Sequence, residues 1–247
     1  MISKAKLKDL TAYRLQKSCD KEAVFVVEGP KMAAEAIASG FAIRTVCATR
    51  EWQGECGEGK AAECYEVTDA ELERLSNFKS PNQVWMLVER PSAYSKLDIQ
   101  RSKFILALDH LQDPGNLGTI MRTADWFGVR TLVCSPDTVS CFNPKVVQAS
   151  MGAVFRTEVL YTDLPAWLAA CHKPVYGASL QGKPISAVDS PNDEAVLVIG
   201  NESVGISPEV MKQVTHPVLI PNIGGTAESL NAAVAAGVLM GWFSKIL

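Results

Sequence analysis

The sequence predicts an α/β protein in two parts: a smaller layered domain over residues 1–90, and a larger one over 103–247 built on a parallel sheet. Three observations carry this reading. Strand-like and helix-like stretches alternate through the first ninety residues, the pattern of a small α/β layer structure. The stretch from Arg90 to Ser102, with Pro91, Ser92, Ser95 and several charges, interrupts the pattern, so 91–102 reads as a linker. Beyond it, Ala195–Ile199 and Val218–Ile220 are nearly continuous apolar runs, as in strands buried on both faces of a parallel sheet.

In the first part, Ala23–Glu28 is β-branched and aromatic and is predicted as a strand. Pro30–Ser39 has helical composition, with proline in its first turn and Gly40 as a stop. Ile43–Thr49 reads as a strand, Asp69–Ser76 as a helix capped by Asp69, and Val84–Glu89 as a strand. In the second part, strands are expected at Phe104–Leu108, Thr131–Cys134, Val175–Ala178, Ala195–Ile199 and His216–Ile220. Helices are expected near Leu117–Phe127, Pro144–Phe155, Pro165–Cys171, Pro208–Val214 and Ser229–Ile246. Open parallel sheets bind ligands beyond the carboxyl ends of their strands. The loops after Leu108, Ile199 and Ile220 are therefore where chemistry is expected.

Composition narrows the class. The 247 residues carry a formal net charge of −3. A global basic excess is absent, so any nucleic-acid contact must come from local patches. Lys4, Lys6, Lys8, Arg14, Lys17, Lys21 and Lys31 crowd the beginning; Glu51, Glu55, Glu58, Glu63 and Glu66 crowd the middle. The basic stretch fits either a phosphate-facing patch or a solvated helix face. The seven cysteines, Cys19, Cys47, Cys56, Cys64, Cys134, Cys141 and Cys171, form no CxxC pair and mostly adjoin apolar stretches. They read as buried, reduced thiols of a cytosolic protein. Together with His110, His172 and His216 they lack zinc-site spacing, so no metal is expected. Met1–Lys6 leads into charged residues and reads as no signal peptide, which points to the cytoplasm. The apolar run Ala232–Phe243 is too short to span a bilayer, so it reads as a buried helix and no membrane partner is expected.

Three loops carry the candidate chemistry. The first, Asp109 to Ala124, leaves a buried strand through Pro114-Gly115 into a helix, with Asn116 as its candidate cap and Arg122 under two turns later. Helix starts favour anions, and a guanidinium forks onto phosphate. The second, Leu197 to Pro208, stops a strand at Gly200, which permits close backbone approach to a ligand. It places Glu202 in the loop and restarts a helix at Ser207-Pro208. The third, Leu219 to Val234, runs through Gly224-Gly225 to Ser229-Leu230-Asn231 at the head of an apolar helix. No GxGxxG follows a strand, and neither a GxSxG elbow nor a Walker motif occurs, which argues against Rossmann, hydrolase and ATPase readings.

Taken together, the three loops resemble the three motifs of the SpoU/TrmH family of RNA 2′-O-methyltransferases in order, spacing and context. The resemblance covers Phe104 to the C-terminus, with Asn143 to Ala153 similar to a further family segment. Val26-Val27-Glu28-Gly29 and Phe78 to Asn82 resemble the family's small RNA substrate-binding domain. The resemblance implies a C-terminal SPOUT domain threaded by a deep trefoil knot, an outcome general topology rules argue against. It also implies a homodimer and S-adenosylmethionine held by Gly200, Ile220 and Leu230. The family's catalytic pattern falls on Asn116, Arg122, Glu202, Ser229 and Asn231. Family proposals give Arg122 a part in deprotonating the ribose hydroxyl; clamping a phosphate and stabilising the alkoxide fits its high pKa equally well. The implied partner is RNA, ribosomal favoured over transfer RNA. The rival reading is a non-catalytic RNA-binding or ribosome-assembly factor that keeps the fold. The third loop is a residue longer than the family pattern.

Overall fold

The computed structural model describes residues 1–54, 61–91, 102–189 and 194–243. Nearly all of the expected linker 91–102 lies outside the described residues, as do Glu55, Cys56, Glu58 and the end of the helix expected to reach Ile246. The chain divides into two compact units, Met1–Ser92 with Phe142–Phe155, and Ala93–Cys141 with Arg156–Leu247.

The first unit holds β1 (Val24–Glu28), β2 (Ile43–Ala48), β3 (Ala61–Glu66) and β4 (Val84–Glu89) in the order β1-β4-β2-β3. Strands β1 and β2 run antiparallel to β4, while β3 runs parallel to β2. Alternation along the strands sends side chains to opposite faces. Val24, Val26, Trp85 and Leu87 join one core with Leu7 and Leu10 of α1 (Lys4–Thr11), Cys19 of α2 (Gln16–Lys21), and Leu72 and Leu75 of α4 (Asp69–Leu75). Phe25 instead meets Phe41, Phe142 and Phe155. Between Pro30 and Ser39 runs α3, ending at Gly40 in the left-handed region.

Some expectations shift. The cap of α4 is Thr68, not Asp69, because Thr68 and Glu71 close a capping box. The basic beginning forms α1 and α2; Leu7 and Leu10 are buried while Lys4 and Lys8 stay exposed, and Lys6 pairs with Glu63 at 2.6 Å. The helix expected over Pro144–Phe155 is α6 (Pro144–Ser150), broken where Met151 turns left-handed. Cys64 is exposed, whereas Cys19, Cys47, Cys134 and Cys141 are buried and reduced.

The second unit is a six-stranded sheet of β5 (Phe104–Leu108), β6 (Thr131–Cys134), β7 (Glu158–Tyr161), β8 (Val175–Pro184), β9 (Ala195–Ile199) and β10 (His216–Leu219). Their order is β10-β8-β9-β5-β6-β7 and every pairing is parallel. Central β5 and β9 are buried throughout, as their apolar runs require. One face packs Ile105, Ala107, Val133, Val196 and Val198 against Leu164 and Leu168 of α7 (Leu164–Ala170) and Val210 of α8 (Pro208–Met211). Helices α5 (Pro114–Trp126) and α9 (Ala232–Trp242) pack together, a close approach that puts Gly237 beside Thr123 and Gly241 beside Phe127. No helix of the described residues is long and apolar enough to cross a membrane.

Candidate active site

The loops that follow β5, β9 and β10 are joined by one chain of side-chain hydrogen bonds. Asn231 is the cap of α9: its Oδ1 accepts from the N–H groups of Ala233 (2.9 Å) and Val234 (3.3 Å). With its oxygen so committed, the carboxamide can only donate outward, and Nδ2 reaches Asn116 Oδ1 at 2.9 Å. That fixes the Asn116 carboxamide in turn, and its Nδ2 donates to Glu202 Oε1 at 2.6 Å. A helix cap therefore sets the direction of every bond in the chain, and Glu202 ends it as a pure acceptor. Asn116 itself caps nothing. Asp113 is the cap of α5, accepting from the Asn116 N–H at 2.7 Å, with Pro114 at the first helical position. The helix expected from Ser229 starts at Ala232 because Asn231 caps it.

A second cluster supports these loops from beneath. Asp109, fully buried at the end of β5, accepts from the Ser207 N–H (2.7 Å) and meets His110 Nδ1 (2.7 Å). The other imidazole nitrogen lies 2.6 Å from Asp137 Oδ2. The hydrogen bond to Asp109 foremost, opposed by burial and helped by Asp137, holds the His110 pKa above its ordinary value. Asn201 binds the loop to itself, accepting from Ser203 and Val204 N–H groups, and to the first loop, donating to the His110 carbonyl at 2.9 Å. Ser207 caps α8 as its Ser-Pro start predicts, whereas Asp109, His110 and Asn201 are not among the candidates the sequence offers. The available signal was a polar pair directly after a buried strand.

A cavity of about 690 Å³ opens beside this framework, within the range of small-molecule sites. Gly200, Ile220 and Leu230 all line it, and so do Glu202 and Ser229. A Cβ at Gly200 would stand 2.2 Å from the Gly205 carbonyl carbon and 2.3 Å from the Ile206 nitrogen, so only glycine lets these backbones close up there. Asn222 shapes the longer third loop, accepting from Gly225 N–H at 2.7 Å and donating to the Gly225 and Ala227 carbonyls. A wall of apolar side chains and exposed backbone groups fits an adenosine-bearing sulfonium cofactor. Arg122 lies farther along α5 and is exposed; no hydrogen bond or ion pair ties it to the other candidates among the described residues.

The chain is similar to known proteins over both of its units. The SpoU rRNA methylase family model matches residues 103–241, and a model of the MRM3-like substrate binding domain matches 4–85. A Bacillus subtilis relative, the 23S rRNA (guanosine(2553)-2′-O)-methyltransferase RlmP, is 30% identical across 95% of this chain and 94% of its own. A TrmH-family structure from Porphyromonas gingivalis superposes with a TM-score of 0.88 at 35% identity, covering 98% of both chains. The AdoMet-bound rRNA methyltransferase from Sinorhizobium meliloti gives a TM-score of 0.85 at 27% identity, covering 100% of this chain and 97% of that one. A parallel-sheet unit of this kind, matched by an rRNA methylase model and superposing on an AdoMet-bound rRNA methyltransferase, places the chain among the RNA methyltransferases. The chain belongs to the SpoU rRNA methylase family. Membership carries the trefoil knot as an expectation for the C-terminal part.

Proposed function

We propose that this protein transfers the methyl group of S-adenosylmethionine to a ribose 2′-hydroxyl of ribosomal RNA, at the mouth of the cavity beside β9 and β10. The observation that carries the reading is the Glu202–Asn116–Asn231 chain, which ties three sequence-distant loops into one polar framework at that cavity. When bound, the cofactor supplies an electrophilic methyl group on sulfonium. Gly200, Ile220 and Leu230 hold it through backbone groups and apolar contact. Arg122 clamps the phosphate next to the target ribose and stabilises charge developing on the 2′-oxygen, whose proton passes to solvent. Asn116, fixed by Glu202 and Asn231, orients the ribose with Ser229. Holding the hydroxyl in line with the methyl group supplies much of the acceleration.

Residues 1–90 serve as the RNA-binding part, 91–102 as the linker and 103–247 as the methyltransferase. The protein works in the cytoplasm as a homodimer, without a metal. Exposed Trp126 on α5, with Val234 and Val238 on one face of α9, supports the dimer, since such apolar surface is characteristic of subunit contacts.

The test is methyl transfer from labelled S-adenosylmethionine to unmodified ribosomal and transfer RNA, followed by nucleoside analysis. A labelled 2′-O-methylnucleoside from ribosomal RNA is the expected result; label on a base overturns the reading. Arg122→Ala is expected to lower the turnover number at least about a hundred-fold while cofactor binding survives.

A further inference from the structure

In the first unit, β1, β2 and β3 all point the same way and β4 runs against β1 and β2. The carboxyl ends of three strands therefore meet the amino end of β4 at one edge of the sheet. There the chain leaves β1 into α3, leaves β2 through Thr49 to Trp52, and enters β4 from Gln83. These crossings border an open cleft of about 650 Å³. Ala34 and Ile37 of α3 give it an apolar side and Trp52 an aromatic one, while Glu51, Gln53 and Gln83 add polar groups.

Two backbone features fix the rim of this cleft. Gln83 holds a left-handed φ of 59°, which non-glycine residues seldom adopt, and its carbonyl accepts from the Thr49 N–H at 2.8 Å. A Cβ at Gly54 would stand 2.0 Å from Trp52 Cζ2, so the chain passes tightly against the indole only because residue 54 is glycine.

The lining selects a ligand by chemistry. An indole beside small aliphatic groups suits something flat. Two carboxamides offer donors and acceptors together. The Glu51 carboxylate discourages a phosphate from entering, while exposed Lys31, one residue from the lining Pro30, brings positive charge for a polyanionic backbone outside; Arg50 beside it is paired with Glu66 at 2.6 Å. A neutral, planar group with hydrogen-bonding edges on a polyanion is an unstacked nucleobase. All of these residues fall within the match to a substrate-binding domain. We propose that this cleft receives one unpaired base of the RNA substrate, stacked on Trp52. This rests on the RNA-methyltransferase reading.

The test measures the dissociation constant of full-length protein for unmodified ribosomal RNA, alongside methyl transfer. Trp52→Leu keeps apolar bulk without a π-face; Trp52→Phe keeps the face. The Leu variant is expected to bind RNA about ten-fold more weakly, within the range for one base–aromatic stack, and the Phe variant less than about three-fold. Cofactor affinity and melting temperature stay at wild-type values. A Leu variant that binds RNA as tightly as the wild type overturns the proposal, as does a Phe variant that loses as much as Leu. Absence of methyl transfer by the wild type would instead count against the proposed activity, because RNA binding is read separately.

Discussion

Both units end a buried strand on a buried carboxyl group, and they hold it by different means. Glu28 closes β1, with Ser76 Oγ donating to Oε2 and the Asn77 N–H to Oε1 at 3.0 Å. Asp109 follows β5 and is met by an imidazole and the Ser207 N–H. Each acid pins a distant loop to a strand end, Ser76–Phe78 in one unit and the start of α8 in the other. Around Glu28 the hydrogen-bond partners are uncharged, and burial pushes its carboxyl above the ordinary range, with the two hydrogen bonds and Arg14 pulling the other way. Around Asp109 the partner is a histidine that also reaches Asp137. The loop at the candidate chemistry is thus held through an Asp–His–Asp cluster, and the loop of the first unit by uncharged hydrogen-bond donors.

Conservative substitutions sharpen that contrast. Asp109→Asn removes the charge facing His110 and is expected to cost about 2 kcal/mol in urea unfolding, with methyl transfer falling alongside. Glu28→Gln keeps an acceptor for Asn77 and relieves a buried charge, so less than about 1 kcal/mol is expected, whereas Glu28→Ala strands two donors and costs about 1–3 kcal/mol. Equal losses for Asp109→Asn and Glu28→Gln would break the comparison. The smallest effect is in pH. His110 has a raised folded pKa, so its stabilisation is complete below the unfolded value and fades as pH rises through the folded one. The stability gap between wild type and His110→Gln should therefore be full below about pH 6.5, the ordinary histidine value, and shrink as pH rises above it; a constant gap would mean that Asp109 does not depend on the imidazole charge.

Most of the second unit was legible because its central strands are unbroken apolar runs with loops at their carboxyl ends. The edges were less so. Strand β3 alternates exposed and half-buried residues and carries Glu63 and Glu66, and β7 opens on exposed Glu158, so neither shows the apolar run used to find the others. Strand β8 runs on to Pro184, well past Ala178, through polar residues that pair with β10 across a register shift. Asn116, Glu202 and Asn231 were visible as a family pattern, but the direction of their hydrogen bonds was not, since it depends on which atom of Asn231 the helix start occupies. Asp109 and His110 stood in plain view as a polar pair. Only the fold shows that Ser207, nearly a hundred residues on, is what the aspartate holds.

The path of the chain between the units has a consequence for biosynthesis. Phe142–Phe155 belongs to the first unit, where Phe142 and Phe155 meet the fully buried Phe25. A nascent chain that has reached Ser92 still lacks this wall, and the first strands of the second sheet emerge before it arrives. The two units are therefore completed in an interleaved order rather than one after the other. A fragment cut at Ser92 would leave one face of Phe25 in water and invite aggregation, so a separately expressed first unit would need a substitute for those fourteen residues.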